Sequence, residues 1–425
     1  MTRLRAMPRL GRAAIAVPGL AALAMGSVLV APASAQAEVS CGDEITQDTT
    51  LTQDLGPCPG NGLIVTADNV TLDLNGHTIT GPHGSDVQEQ AGEAVGINLR
   101  GVSGVTVQNG EVHNFDAGVA MGNSTRNTVQ GMNVHHNINH GALQDEAEDN
   151  PCNFGDGIAL VNSSDNRIAG NRIASNGPLS GVALIYNSDG NEVVRNQVVD
   201  NNIRALNPAG ESILCGTGDD QGPMGSGREV QNVGIRVEGP GAEDNRIAGN
   251  EVTNNALAGV AVHGWVCGEN DAGAPITSGN DNTTIQNNRI SETGATTGED
   301  DPHAHGIAML ATGPATVVCV SDAARIIGND SSNNFGHGVF VGGRGSSGHQ
   351  INANSVNGNG ADGIHLQAPA SDEIPGVVDS RINDNDATGS GGFDGFDGTP
   401  GCDNNQWRGN QFGDVNQACV SGPGQ

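Results

Sequence analysis

Three residues stand directly before a glycine that opens a short apolar phrase: His305 before "GIAM", His337 before "GVFV" and Asp362 before "GIHL". A fourth, His365, lies inside the last phrase between Ile364 and Leu366, so its side chain faces away from theirs. Asp301 and His303 precede the first phrase in "EDDPHAHG". Imidazoles and carboxylates held a few ångströms apart can share a proton near neutral pH or bind a divalent metal. The same residue types also make an inert polar column that hydrogen-bonds a turn. Asp301, His303, His305, His337 and Asp362 form the candidate catalytic set. Whether they meet depends on the elements that carry them.

Those elements are repeats. "NRIAGNRIASN" at residues 166–176 returns as "NRIAGNEVTNN" at 245–255. The frame is Ile or Val, two residues, then Asn, and it puts Asn at 171, 196, 250, 288, 329, 354, 385 and 410. A Gly–apolar–x–apolar phrase precedes each later copy, from "GVAM" at Gly118 to "GIHL" at Gly363. Short apolar alternations broken by Gly and Asn are strands, and a repeat near 25 residues marks a solenoid. The fold expected is all-β, a right-handed single-stranded parallel β-helix of about eleven coils, roughly 50 Å long at about 4.8 Å per coil. In such a stack each Asn lies over its own copies. It is expected at a left-handed turn, bonding the Asn above and below in a ladder.

A rod of this kind exposes strand edges at both ends. Eight Cys are available to clip it. Cys41 with Cys58 and Cys402 with Cys419 flank the two ends. Cys152 with Cys215, and Cys267 with Cys319, fall on matching edges of the stack. The domain reading is a signal peptide at 1–35, an N-terminal cap at 36–60, the β-helix at 61–400, and a last coil with cap at 401–425. Insertions fall at 139–156, 204–233, 264–281, 294–305 and 312–323, and those that precede a Gly strand would rise together on one side and could wall a groove.

The first residues carry Arg3, Arg5, Arg9 and Arg12, then an apolar run and "APASA", the pattern of an export signal cut near Ala35. A secreted, disulfide-bonded protein follows from it. No later apolar run is long enough to span a bilayer. The chain has no Lys. Without the leader, 14 Arg face 48 Asp and Glu, a charge of −34. That surface repels nucleic acid and favours neutral or cationic partners. The acidic phrases "GFDGFDG", with Asp394 and Asp397, and "EDDP" at 299–302 are candidate Ca²⁺ holders, or else solvated acidic surface.

With these phrases in view, the chain from Val65 to Gln411 resembles the group of secreted right-handed parallel β-helix proteins of pectate-lyase type. "VTLDLNGHTITG" and "NRIAGNRIASN" look like its repeat units. The group includes pectate lyases, polygalacturonases, alginate lyases and epimerases, and periplasmic copper-accessory β-helix proteins. Asp301-Pro302-His303 resembles the Asp-Pro-His motif of mannuronan epimerases. In that family the Asp and His move a proton beside a Tyr and a Lys. Here Lys is absent and the only Tyr is Tyr186. The resemblance implies a polysaccharide partner and a hydrolase, lyase or epimerase activity. The alternative is a non-catalytic extracellular rod that is structural or binds carbohydrate or metal. Sugar sites usually carry an aromatic platform, and Trp265 is the residue that looks available for one. Trp407 occupies a core slot.

Overall fold

In a computed structural model of the chain, the described residues are 38–82, 94–138, 155–203, 233–264, 267, 278–294, 304–311, 318–371 and 375–420. Together they make a right-handed parallel β-helix. A representative coil has three strands, Asp156–Val161, Arg167–Ala169 and Arg172–Ala174. The first belongs to a parallel sheet of 12 strands, built from the Gly phrases, that runs the length of the stack. The stack begins within the expected N-terminal cap, where Glu44–Ile45 already pairs with Leu63–Val65.

The apolar position before each Asn forms one continuous buried column. Ile168 pairs with Val193, Val193 with Ile247, Ile247 with Ile285, and so on to Ile382 with Trp407. Each coil buries only a thin layer of Ile, Val and Leu, which is why aromatics are so scarce in the composition.

The Asn ladder is present and sits inside. Oδ1 of Asn196 accepts the backbone N–H of Asn171 at 2.9 Å and its side-chain amide at 3.0 Å. Asn250 does the same for Asn196, and Asn288 for Asn250. One expectation is corrected. These Asn are not left-handed; the residue before each one is, including Gly170 (φ 65°), Arg195 (φ 56°), Gly249 (φ 65°) and Asp384 (φ 56°). The bend at that preceding residue swings the Asn inward, where its amide can meet backbone. The sequence also repeats an Asn five residues later, at 176, 201 and 255, and these form a column with Asn137; a third column, Asn127–Asn166–Asn191–Asn245, was not read from the sequence.

The repeated Gly has a packing cause. A Cβ on Gly181 would meet Val198 Cγ1 at 2.7 Å, the Gly234 carbonyl at 2.8 Å and the Asn201 amide at 2.9 Å. No other side chain fits between the ladder and the next coil.

Disulfides Cys41–Cys58, Cys267–Cys319 and Cys402–Cys419 form as expected. Cys152 and Cys215 lie outside the described residues. At the C-terminal end the carboxylates of Asp394 and Asp397 are buried. Asp394 accepts from the N–H groups of Ser390, Gly413 and Asp414. Asp397 accepts from Thr399, Asn405 and Trp407. The carboxylates of "GFDGFDG" therefore tie the last coil down instead of presenting oxygens to Ca²⁺. The "EDDP" phrase lies outside the described residues. Among the described residues, no helix is long and apolar enough to cross a membrane.

Candidate functional site

Parallel stacking brings His305, His337 and Asp362 together in successive coils. His305 opens the strand His305–Ala311, while His337 and Asp362 stand before Val339–Val341 and Ile364–Leu366. The ring centroids of His305 and His337 are 5.0 Å apart. His365 joins them from the outward position of its strand, 4.4 Å from His337. Asp301 and His303 lie outside the described residues.

The outward position that carries His365 holds Phe340 one coil earlier and Phe396 one coil later. Phe340 stacks on His305 at 4.7 Å and on His365 at 5.3 Å, and His365 stacks on Phe396 at 4.4 Å. The strip is thus aromatic as well as titratable. The sequence reading missed Phe340 and Phe396, although the third position of "GVFV" already pointed outward in the same alternation that placed His365.

Hydrogen-bond partners set the protonation of each ring. Nδ1 of His305 accepts the backbone N–H of His337 at 3.3 Å. Nδ1 of His337 accepts that of Asp362 at 2.9 Å, and Oδ1 of Asp362 accepts that of Phe393 at 2.6 Å. Each side chain in this column receives an amide hydrogen from the next coil, so neutral His305 and His337 carry their proton on Nε2. The 3.4 Å approach of His337 Nδ1 to Asp362 Oδ2 carries no hydrogen, because the amide occupies that lone pair.

His365 is different. Its Nδ1 is 2.6 Å from Oδ2 of Asp362. Burial would raise the Asp362 pKa, but the hydrogen bonds from His365 and Phe393 and the nearby imidazoles of His337 and His365 outweigh it and hold the carboxyl below its usual value. Asp362 is therefore ionised at neutral pH, His365 donates through Nδ1, and its Nε2 keeps a lone pair. His305 and His337 accept backbone amides as a polar column, while His365 is held against the Asp362 carboxylate, an arrangement in which the carboxylate could orient a base.

As a metal site the strip fits poorly. One ligand atom from each of His337, Asp362 and His365 can be chosen so that all lie within 4.8 Å of one another. His365 could offer Nε2, but Nδ1 of His337 accepts the Asp362 amide and its Nε2 carries the proton, so His337 would have to give up that bond or that proton to ligate.

Two more polar groups escaped the sequence reading. In mid-rod, Arg236, buried on the outward face of the 12-stranded sheet, pairs with Glu238, and His263 lies 3.7 Å from Glu238. Burial would raise Glu238, but the Arg236 guanidinium dominates and brings it down to about 2. Nearer the N-terminal end, Glu111, His113, His135 and His136 gather on two adjacent coils, with His113 paired to His135. The signal for them was present in "EVHNF" and "NVHHN", which place His at equal register.

The class that the fold and site define is a parallel β-helix with an outward aromatic and histidine strip. Residues 42–213 match the family described as "Periplasmic copper-binding protein (NosD)". The strip lies beyond that segment. No curated protein matches the chain. Among solved structures it is similar to the Dettilon tailspike protein, at 14% identity and a TM-score of 0.49, covering 88% of this chain and 60% of that one. It is similar to the periplasmic alginate epimerase AlgG at 12% identity and a TM-score of 0.48, covering 91% and 77%. A third is the catalytic domain of a GH87 alpha-1,3-glucanase in complex with nigerose, at 15% identity and a TM-score of 0.44, covering 83% and 60%. The chain thus spans about three-fifths of the tailspike and glucanase structures. Identities this low carry no activity across, and the β-helix rests on this chain's own strand pairing.

Proposed function

We propose that this is an exported β-helix protein acting on an extracellular polysaccharide, with His365 as the proton-accepting group and Asp362 as the residue that orients it. The observation that carries the reading is the 2.6 Å contact between His365 Nδ1 and Asp362 Oδ2. It leaves the Nε2 lone pair as a base between two aromatic faces, Phe340 and Phe396. The rings stack on the imidazoles, so a sugar would lie along their outer edges.

A lone base fits abstraction of the proton α to a uronate carboxylate better than hydrolysis, which needs two carboxylates about 5–9 Å apart. The proton passes to His365 Nε2, and Asp362 stabilises the imidazolium. In a lyase the C4–O4 bond then breaks as a C4–C5 double bond forms and water protonates the departing oxygen, whereas in an epimerase water returns a proton to C5 from the opposite face. A chain this acidic requires that a uronate polymer arrive with its charge screened by cations. The leader ending near Ala35 and the disulfides support export.

The test incubates the oxidised mature protein with neutral and uronate polysaccharides, with Ca²⁺ or with EDTA. Unsaturated-uronate absorbance, reducing ends and NMR for epimerisation are recorded beside His365→Ala. Equal product from both proteins would remove His365 from the chemistry. A second reading, a metal-binding rod, is favoured by the match of residues 42–213 to a family described as copper-binding. It predicts no product from any polymer.

A further inference from the structure

The strand Arg167–Ala169 and its copies in later coils each follow a corner of opposite charge. In "DNRI" at 165–168 and 244–247, and in "DSRI" at 379–382, an Asp stands two residues before an Arg. The residue between them, Asn166, Asn245 or Ser380, is buried, so both charged side chains emerge on the outer surface. Asp165 (φ 59°), Asp244 (φ 55°) and Asp379 (φ 52°) mark the corner itself.

Stacking turns this phrase into two stripes. Along the strand, Arg167, Arg246, Arg325 and Arg381 recur at every second coil of one register column, and Arg408 joins from the last coil. On the outward positions of these strands the one acidic residue is Glu192, held between Arg167 and Arg246. Along the corner, Asp165, Asp189, Asp244, Asp281 and Asp322 follow from coil to coil, and Asp379 continues the line. Among the described residues, Arg325, Arg381 and Arg408 make no ion pair, and none of these Asp pairs with an Arg of its own chain.

We propose that this face is a dimer interface, on which two copies of the chain lie side by side and point the same way about a twofold axis parallel to the rod. Such an axis reverses the order of the stripes across the face and keeps each coil at its own height. Asp244 then meets Arg246 of the second copy, and Asp379 meets Arg381. One stack builds both stripes, so they share a rise of about 4.8 Å per coil and the match holds along the whole face. An antiparallel pair, with its axis across the rod, would lay Asp on Asp and Arg on Arg. Charge selects the parallel pair, and its twofold closes at two copies.

The Asp stripe is crowded without a partner. Burial first, then the carboxylates of Glu243, Asp244 and Asp165, raise the Asp189 pKa against the hydrogen bond from the Glu243 amide. Burial and the charges of Asp322, Glu243 and Asp244 likewise raise Asp281. Guanidinium groups of a second copy relieve that repulsion. Seven coil steps make the face about 34 Å long, and at about 15 Å wide it offers roughly 500 Å² per copy. A standard interface offers roughly 800 Å² per copy, so this dimer is weak and salt-sensitive.

The experiment is sedimentation velocity on the full mature protein, oxidised, at about 0.02 M and about 0.5 M salt. A dimer at low salt that dissociates at high salt is expected. Two charge-reversed variants are compared, Arg246→Glu/Arg381→Glu and Asp244→Arg/Asp379→Arg. Each should be monomeric at low salt, because like charges then meet across the axis, with thermal unfolding close to the parent's. Their equimolar mixture should dimerise again, since the new Glu of one copy meet the new Arg of the other. A parent that stays monomeric at low salt would overturn the interface. So would a reversed variant that dimerises like the parent, or a mixture that stays monomeric.

Discussion

Nδ1 of His365 faces Oδ2 of Asp362 at 2.6 Å, from three residues further along the same coil. The contact links a turn position, whose side chain receives the amide of Phe393, to an outward strand position between two aromatic rings. A stacking residue and a chemical residue are thereby joined.

Asp362→Asn keeps an oxygen for the Phe393 amide and removes the charge that supports a protonated His365. Turnover on a uronate polymer should fall by about 10²–10⁴, the usual contribution of a positioned acid–base group. Thermal unfolding should shift little. A variant as active as the parent, measured by initial rates across pH, would remove Asp362 from the mechanism.

Asn250→Ala deletes the acceptor for both the backbone and side-chain N–H groups of Asn196, and the donor to the Val193 carbonyl. Each buried group left unsatisfied costs about 1–3 kcal/mol, so a loss of roughly 2–5 kcal/mol is expected in denaturant unfolding. A loss below 1 kcal/mol would mean that water enters the ladder.

Asp156 is buried, and burial dominates its Ser180 hydrogen bond and the Arg236 charge to push its pKa up to about 7. The folded state holds this proton after the unfolded chain has released it. Its stabilising contribution is therefore full below the unfolded value near 4 and is lost as pH rises to about 7. Asp156→Asn should gain on the parent by about 2–3 kcal/mol between pH 5 and pH 8. Parallel stability curves for the two proteins would refute this.

His349 behaves in the opposite direction. It is buried in the inner column, with neither ring nitrogen hydrogen-bonded among the described residues. Burial lowers its pKa to about 4. Stability is fully present above the unfolded value near 6.5 and is lost as pH falls toward 4, by about 3 kcal/mol. His349→Asn restores the residue type of the column and should flatten that acid limb, read by chemical unfolding at pH 7 and pH 4.5.

Residue types and spacing by themselves determined the parallel β-helix, the Asn ladder, the disulfide clips at the two ends, and the meeting of His305, His337 and Asp362. A parallel stack sets equal repeat positions above one another, so a list of positions is already a list of neighbours. Only the tertiary structure decided what those neighbours do. Which imidazole keeps a lone pair depends on which backbone N–H reaches Nδ1, and no residue spacing encodes that. It gave Nδ1 of His305 and of His337 to backbone amides and set His365 against Asp362. It also turned Asp394 and Asp397 inward as a cap and set Phe340 and Phe396 in the outward strip, whereas Trp265 lies outside the described residues. His135 and His136 escaped the repeat frame because His136 is left-handed (φ 51°) and interrupts the alternation on which that frame depends.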